Sequence, residues 1–223
     1  SISLCLGTCD ITVAEMASAY TAFANRGMRC APLLVTRIED NEGNVVAEFT
    51  PRMNEVISEQ TSFYMIDMLR AVIDQGTGRR LRFKYQFEGP IAGKTGTTNN
   101  NSDGWFVGFV PRLVTACWVG GEERDIHFNS MSLGQGASTA LPVWAYYMKK
   151  VFRNKAFGYS HTEEFELKTD TVSTNSLQIG EGVDEGHVQM IGQGEEAENA
   201  GLGVLHLGGH LHRRFRDGDD VLP

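Results

Sequence analysis

The sequence predicts a mixed α/β fold of the α+β kind, an antiparallel sheet flanked by helices. Three observations lead there. Apolar residues recur at helical spacing in three segments, at 12–25, from about 58, and at 141–152. Three strand-like runs, 91–97, 105–110 and 113–119, follow one another through links too short for crossovers. Two further apolar-rich runs flank Asn41-Glu42-Gly43-Asn44, which is hairpin turn chemistry. At 223 residues and 41% hydrophobic, the chain is long enough to enclose one sizeable core.

Taken in order, Thr12 with Glu15 three residues on forms a capping box, Met16, Tyr20 and Phe23 share a face, and Gly27 supplies the stop. Leu33–Ile38 and Val45–Phe49 then form a small antiparallel pair. A second helix runs from Ser58, with Ile66, Leu69, Val72 and Ile73 on one stripe and Gly76 and Gly78 ending it. Ile91–Thr97, Trp105–Val110 and Leu113–Val119 are the strands, the last two joined at Pro111-Arg112. Leu141–Phe152 is a helix with Pro142 in its first turn and Val143, Trp144, Tyr147 and Val151 expected on its buried side.

The composition changes near Asp170. The last 54 residues hold three Arg against ten Asp and Glu, with ten Gly and one aromatic, Phe215. Such a composition cannot bury enough apolar surface to order itself, so residues 156–223 are expected to be a polar, disordered tail. Most of the net charge of -8 belongs to it. The remainder is close to neutral, which argues against nucleic acid as a partner.

Cysteines at 5, 9, 30 and 117 are too sparse and irregular for a disulfide scaffold or a zinc site, and are expected to be free thiols. No run of about 18 apolar residues could span a bilayer. The chain opens on Ser1 and not on Met, and is expected to be a piece of a longer protein.

The segment that carries chemistry is Ile91-Ala92-Gly93-Lys94-Thr95-Gly96-Thr97-Thr98. In a strand, Thr95 and Thr97 share a face. Two hydroxyls so placed can bond a carboxylate while Lys94 adds positive potential, and Gly96 leaves room for a second backbone. A phosphate-binding loop is the competing reading of Gly93-Lys94-Thr95, but its spacing fails, because Glu88 stands where the first glycine would be needed. His206, His210 and His212 could gather a metal, but Gly208 and Gly209 weaken any helix that would align them. No metal and no cofactor is therefore expected.

Gly93–Thr98, followed by Asp103-Gly104-Trp105-Phe106-Val107-Gly108-Phe109 and by 114–121, resembles the Lys-Thr-Gly strand and succeeding strands of penicillin-binding proteins. Glu15–Asn25 with Gly27 is similar to the helix those proteins place between their second and third active-site motifs. Gly134-Gln135-Gly136-Ala137-Ser138 leading to Leu141-Pro142-Val143-Trp144 resembles the class A, bifunctional type. The resemblance covers residues 1–155 and implies the C-terminal portion of a transpeptidase domain, a partial penicillin-binding-protein/β-lactamase-like fold.

The resemblance further implies a D,D-transpeptidase that cross-links peptidoglycan stem peptides through a serine acyl-enzyme, with β-lactam antibiotics as inhibitors. Lys94 would have the electrostatic and proton-relay role. Thr95 and Thr97 would bind the terminal carboxylate, Gly96 and Thr98 would line the site, and the Thr97 N–H would be an oxyanion donor. A periplasmic location at the inner membrane is implied, with any anchor upstream. The chain departs from the pattern on one point: no serine in it is followed three residues later by lysine, so the nucleophile of Ser-x-x-Lys is not here. Ser173-Thr174-Asn175 lies after the lysine strand, in the wrong order for the second motif. A D,D-carboxypeptidase or β-lactamase-like hydrolase, and a peptide-binding module without catalysis, are the rival functions.

Overall fold

A computed structural model describes residues 7, 9–166 and 201–206, the last six as backbone only. Helix α1 spans Val13–Ala24, and its capping box is formed as the sequence requires: Thr12 Oγ1 accepts from the Glu15 N–H at 3.2 Å, and Glu15 accepts from the Thr12 N–H at 2.9 Å. Gly27, at φ +91°, turns the chain after it. β2 (Arg37–Glu39) and β3 (Val45–Glu48) make the expected hairpin around Gly43, with a register shift at Ile38 and Glu39. A second pair, which the sequence did not announce, joins β1 (Met28–Cys30) to β4 (Met53–Glu55). Three residues are too few to show an alternating pattern.

Helix α2 (Glu59–Asp74) is capped by Ser58, whose Oγ accepts from the Thr61 N–H. A short α3 (Arg80–Phe83) follows. The main sheet is antiparallel in the order β5 (Ala92–Thr97), β6 (Asp103–Val110), β7 (Leu113–Gly120), β8 (Gly201–His206). A turn of helix, α4 (Met131–Gly134), precedes α5 (Ala140–Arg153).

The core is two layers separated by this sheet. β6 is buried along its whole length, and its pleat sends Trp105, Val107 and Phe109 one way and Phe106 and Val110 the other. The first set packs with Met16, Ala17 and Tyr20 of α1 and with Ile66 and Leu69 of α2. The second packs with Leu81 and with Leu141, Trp144 and Met148 of α5. Gly108 makes the close approach of α5 possible: a Cβ there would lie 2.7 Å from the Trp144 ring. Trp144 instead stacks edge-on against Phe106 at 5.3 Å and donates its indole N–H to the Gly108 carbonyl at 3.2 Å.

Two expectations need correction. The buried stripe of α5 is Leu141, Trp144, Ala145, Met148 and Val151; Val143 is exposed and Tyr147 only half-buried. Val143 follows Leu141 by two residues, about 200° around the helix, which turns it to the solvent side. Within 156–223, moreover, Phe165 is buried against Phe109 and residues 201–206 pair with β7. Mean composition hides such local apolar segments. Residues 167–200 and 207–223, with the side chains of 201–206, and so the side chains of His206, His210 and His212, lie outside the described residues. Cys9, Cys30 and Cys117 are free thiols.

Replacing Trp144 by alanine deletes the largest fully buried side chain of the α5 layer. The expected cost is about 3–5 kcal/mol, read as a lowered midpoint in urea unfolding.

Candidate active site

β5 is an edge strand: among the described residues, no strand pairs with its second side. The phase of its hydrogen bonds decides what that side offers. Thr98 donates to the Asp103 carbonyl at 3.2 Å, so alternation along the antiparallel ladder turns the backbones of Gly96 and Lys94 toward β6 as well. The N–H and C=O groups of Thr95 and Thr97 therefore point to the unpaired side. The Lys94 ammonium agrees with this phase, donating from that side to the Thr95 carbonyl at 2.9 Å.

Side chains follow the register. Thr95 is opposite Phe106 and Thr97 opposite Gly104, so both hydroxyls lie on the α5 face, as strand periodicity predicts. Lys94 is opposite Val107 and belongs to the α1/α2 face. Burial lowers its pKa below the ordinary 10.5 by desolvating the ammonium. On the same face the Trp105 indole N–H is buried and, among the described residues, has no acceptor.

The hydroxyl face is built from two segments distant in sequence. Thr77, in the turn after α2, shares a 2.6 Å hydrogen bond with the Thr95 hydroxyl. From the other side the 135–139 segment approaches, and the Gly136 N–H donates to Thr97 Oγ1 at 3.0 Å. Gly136 has to be glycine: a Cβ would stand 2.4 Å from the Gly96 carbonyl and 2.3 Å from that of Trp105. Because the Gly136 amide fills an acceptor position of Thr97, the hydroxyl proton remains available for another acceptor. Arg80 holds this segment, donating through Nη1 to the Ala137 carbonyl at 3.0 Å and to Ser138 Oγ at 2.8 Å.

The far end of β5 is tied by a buried knot. Asp103 accepts from the Ser102 hydroxyl at 2.8 Å and from the Trp118 indole at 2.9 Å, while its own N–H donates to Thr98 Oγ1 at 2.9 Å. Thr98 is thus committed to the turn and is buried, unlike the cleft-lining position expected of it. A cavity of about 500 Å³ lined by Phe23, Phe63, Pro111, Arg112 and Phe165 opens at the opposite end of the sheet and includes none of these residues. Among the described residues, no cluster of His, Cys, Asp and Glu could hold a metal ion.

The structure brings Lys94, Thr95, Gly96 and Thr97 to one edge. Thr77, Arg80 and Gly136 were missed as members of the site. Thr77 sits between two glycines that read as a helix stop, and Gly136 inside a glycine-rich signature whose contact partner, 39 residues away, is a tertiary fact.

Comparison with known proteins bears directly on this edge. Residues 1–123 match the penicillin binding protein transpeptidase domain. The chain is 39% identical over 173 residues to penicillin-binding protein 1A of Aquifex aeolicus, covering 78% of this chain and 22% of that protein. It is 34% identical over 188 residues to penicillin-binding protein 1B of Vibrio cholerae, covering 79% of this chain and 23% of that one. The chain thus spans about a fifth of the length of these relatives. Among solved structures it resembles penicillin-binding protein 1A of Haemophilus influenzae, with a TM-score of 0.61 and 27% identity over 70% of this chain and 28% of that one. A likeness in fold alone, at a TM-score of 0.50 and 16% identity over 62% of this chain and 32% of that one, connects it to penicillin-binding protein A of M. tuberculosis in its ceftriaxone acyl-enzyme complex. With more than half of its length matching one domain model, and its lysine-threonine strand lying at the edge of an antiparallel sheet, this chain belongs to the penicillin-binding protein transpeptidase family.

Proposed function

We propose that β5 receives the carboxylate end of a peptidoglycan stem peptide, and that the protein to which this chain belongs is a D,D-transpeptidase. The observation that carries the reading is the phase of β5: the backbones of Thr95 and Thr97 face an unpaired edge, their hydroxyls share one face, and the Lys94 ammonium stands at the same edge. A peptide extended along that edge meets main-chain donors and acceptors, as in strand addition. The Thr95 and Thr97 hydroxyls donate to its terminal carboxylate, and the Thr97 N–H is an oxyanion donor.

In the reaction so assigned, a serine oxygen attacks the penultimate D-Ala carbonyl carbon. The C–O bond forms, the C–N bond breaks, and D-Ala leaves carrying the proton on its amine. The amine of a neighbouring stem then displaces the serine, giving the cross-link. Lys94, its charge disfavoured by burial, is suited to positive potential and proton relay in the first step. β-Lactams are inhibitors on this reading, and residues 1–155 are one portion of the catalytic domain. The location is the periplasmic face of the inner membrane; among the described residues no helix is long and apolar enough to cross it.

A second reading, peptide binding without catalysis, is favoured for this chain alone by one observation, the lack of any Ser-x-x-Lys. The two are separated by covalent labelling. This 223-residue chain is expected to form no acyl-enzyme with a fluorescent penicillin, whereas a chain that also carries the Ser-x-x-Lys segment labels on that serine; labelling of a serine within 1–223 contradicts the assignment.

Binding tests the edge itself. Titration with N-acetyl-D-alanyl-D-alanine is expected to shift the Thr95 and Thr97 amide resonances. Thr97→Val, which removes the hydroxyl at constant shape, is expected to weaken binding about tenfold, the value of one hydrogen bond to a charged group.

Lys94 adds a pH dependence of known sign. Its folded pKa is lowered, so between that value and 10.5 the unfolded chain binds more protons and stability rises with pH. Lys94→Met is expected to be more stable than the parent at neutral pH. The gap should narrow as pH approaches 10.5 in paired urea melts, and a gap independent of pH would refute the burial argument.

A further inference from the structure

Positive charge on the hydroxyl face of β5 needs a source. Lys94 cannot supply it from within that face, because its side chain departs on the α1/α2 side and reaches the edge at the Thr95 carbonyl. Arg80 is already on the other side. It opens α3, three residues after Thr77, and Leu81 beside it packs in the α5 layer. Its Nη1 contacts Ala137 and Ser138, the two residues that follow the Gly136 amide bonded to Thr97. Two hydrogen bonds joined by the Gly136–Ala137 backbone therefore link the guanidinium to the Thr97 hydroxyl, and Thr77 links the same turn to the Thr95 hydroxyl.

The charge on Arg80 is also uncompensated. Its two acceptors are a neutral carbonyl and a neutral hydroxyl, and among the described residues no carboxylate pairs with it. Arg82, on the same turn of helix, is paired with Asp74 at 2.7 Å. A half-buried guanidinium without an anion raises the potential of its surroundings and is stabilised by any anion brought near. Of its nitrogens, only Nη1 has a partner among the described residues, so the planar fork still has donors to give.

We propose that Arg80 is a specificity-determining residue of the β5 edge: it selects ligands that end in a free carboxylate by lending positive potential to the Thr95 and Thr97 hydroxyls from the α3 side. This deepens the reading of β5 as a carboxylate-binding edge and rests on it. Lys94 then acts from one face of the strand and Arg80 from the other, with the hydroxyl pair between them.

The experiment compares N-acetyl-D-alanyl-D-alanine with its C-terminal amide, both titrated by amide chemical shifts into the full 223-residue chain, into R80Q and into R80K. The parent is expected to prefer the acid over the amide. R80Q, which keeps a donor and drops the charge, is expected to lose about tenfold in affinity for the acid and almost none for the amide. R80K, keeping the charge without the fork, is expected to retain the acid preference.

Equal losses for acid and amide in R80Q would assign Arg80 to holding the 135–138 segment and overturn the proposal, as would an acid preference that survives in R80Q. A parent that does not distinguish acid from amide removes the carboxylate reading of β5 and this proposal with it. Should R80Q fail to fold, as shown by its melting curve, R80K decides: loss of its acid preference overturns the role of charge.

Discussion

Everything in this molecule depends on a single strand being covered on both sides. β6 has no solvent-facing residue, so each of its side chains must find a helical layer, and the two layers differ. One is made by α1 and α2 through Trp105, Val107 and Phe109; the other is made by α5 through Phe106 and the gap left at Gly108. Side-chain alternation has a period of two, so slipping the register by one residue would exchange these sets and place Val107 or Phe109 where Gly108 now admits Trp144. The register of β6 in turn fixes that of β5. The chemistry of the edge is thus a consequence of apolar packing one strand away.

That dependence explains what was legible in the sequence. Helices α1, α2 and α5 carry their own evidence in caps and stripes, and β5 to β7 in their apolar runs and short links. The sharing of one face by Thr95 and Thr97 followed from strand geometry alone. Which face Lys94 would take relative to the helices did not, because it is set by the pairing of Lys94 with Val107. Thr77, Arg80 and Gly136 were illegible for the same reason: their roles are contacts across 18 to 58 positions, formed only when the sheet and α5 have packed. Val143 shows a simpler failure, an apolar residue counted into a stripe whose phase excludes it. Residues 201–206 show that an average over a long polar stretch conceals a short strand.

The site itself is divided by the plane of the sheet. Its ammonium comes from the α1/α2 face, its hydroxyls from the α5 face, and the main-chain groups of Thr95 and Thr97 from the edge between. Buried polar side chains need partners, and here the partners do more than satisfy them. Thr77 and Gly136 fix the directions in which two threonine hydroxyls can act, while the Asp103 knot prevents the β5–β6 turn from fraying beside them. The glycines that allow these approaches are packing requirements as much as conformational ones.

The unpaired side of β5 carries one more consequence, for colloidal behaviour. A bare strand edge is a template for any extended chain, including another copy of itself. Ala-Gly-Lys-Thr-Gly-Thr is poorly made for self-templating: two glycines weaken its β-propensity, a cation sits in its middle, and its one apolar side chain, Ala92, is buried. The same composition that leaves the edge open to a small polar guest therefore discourages sheet-to-sheet zippering.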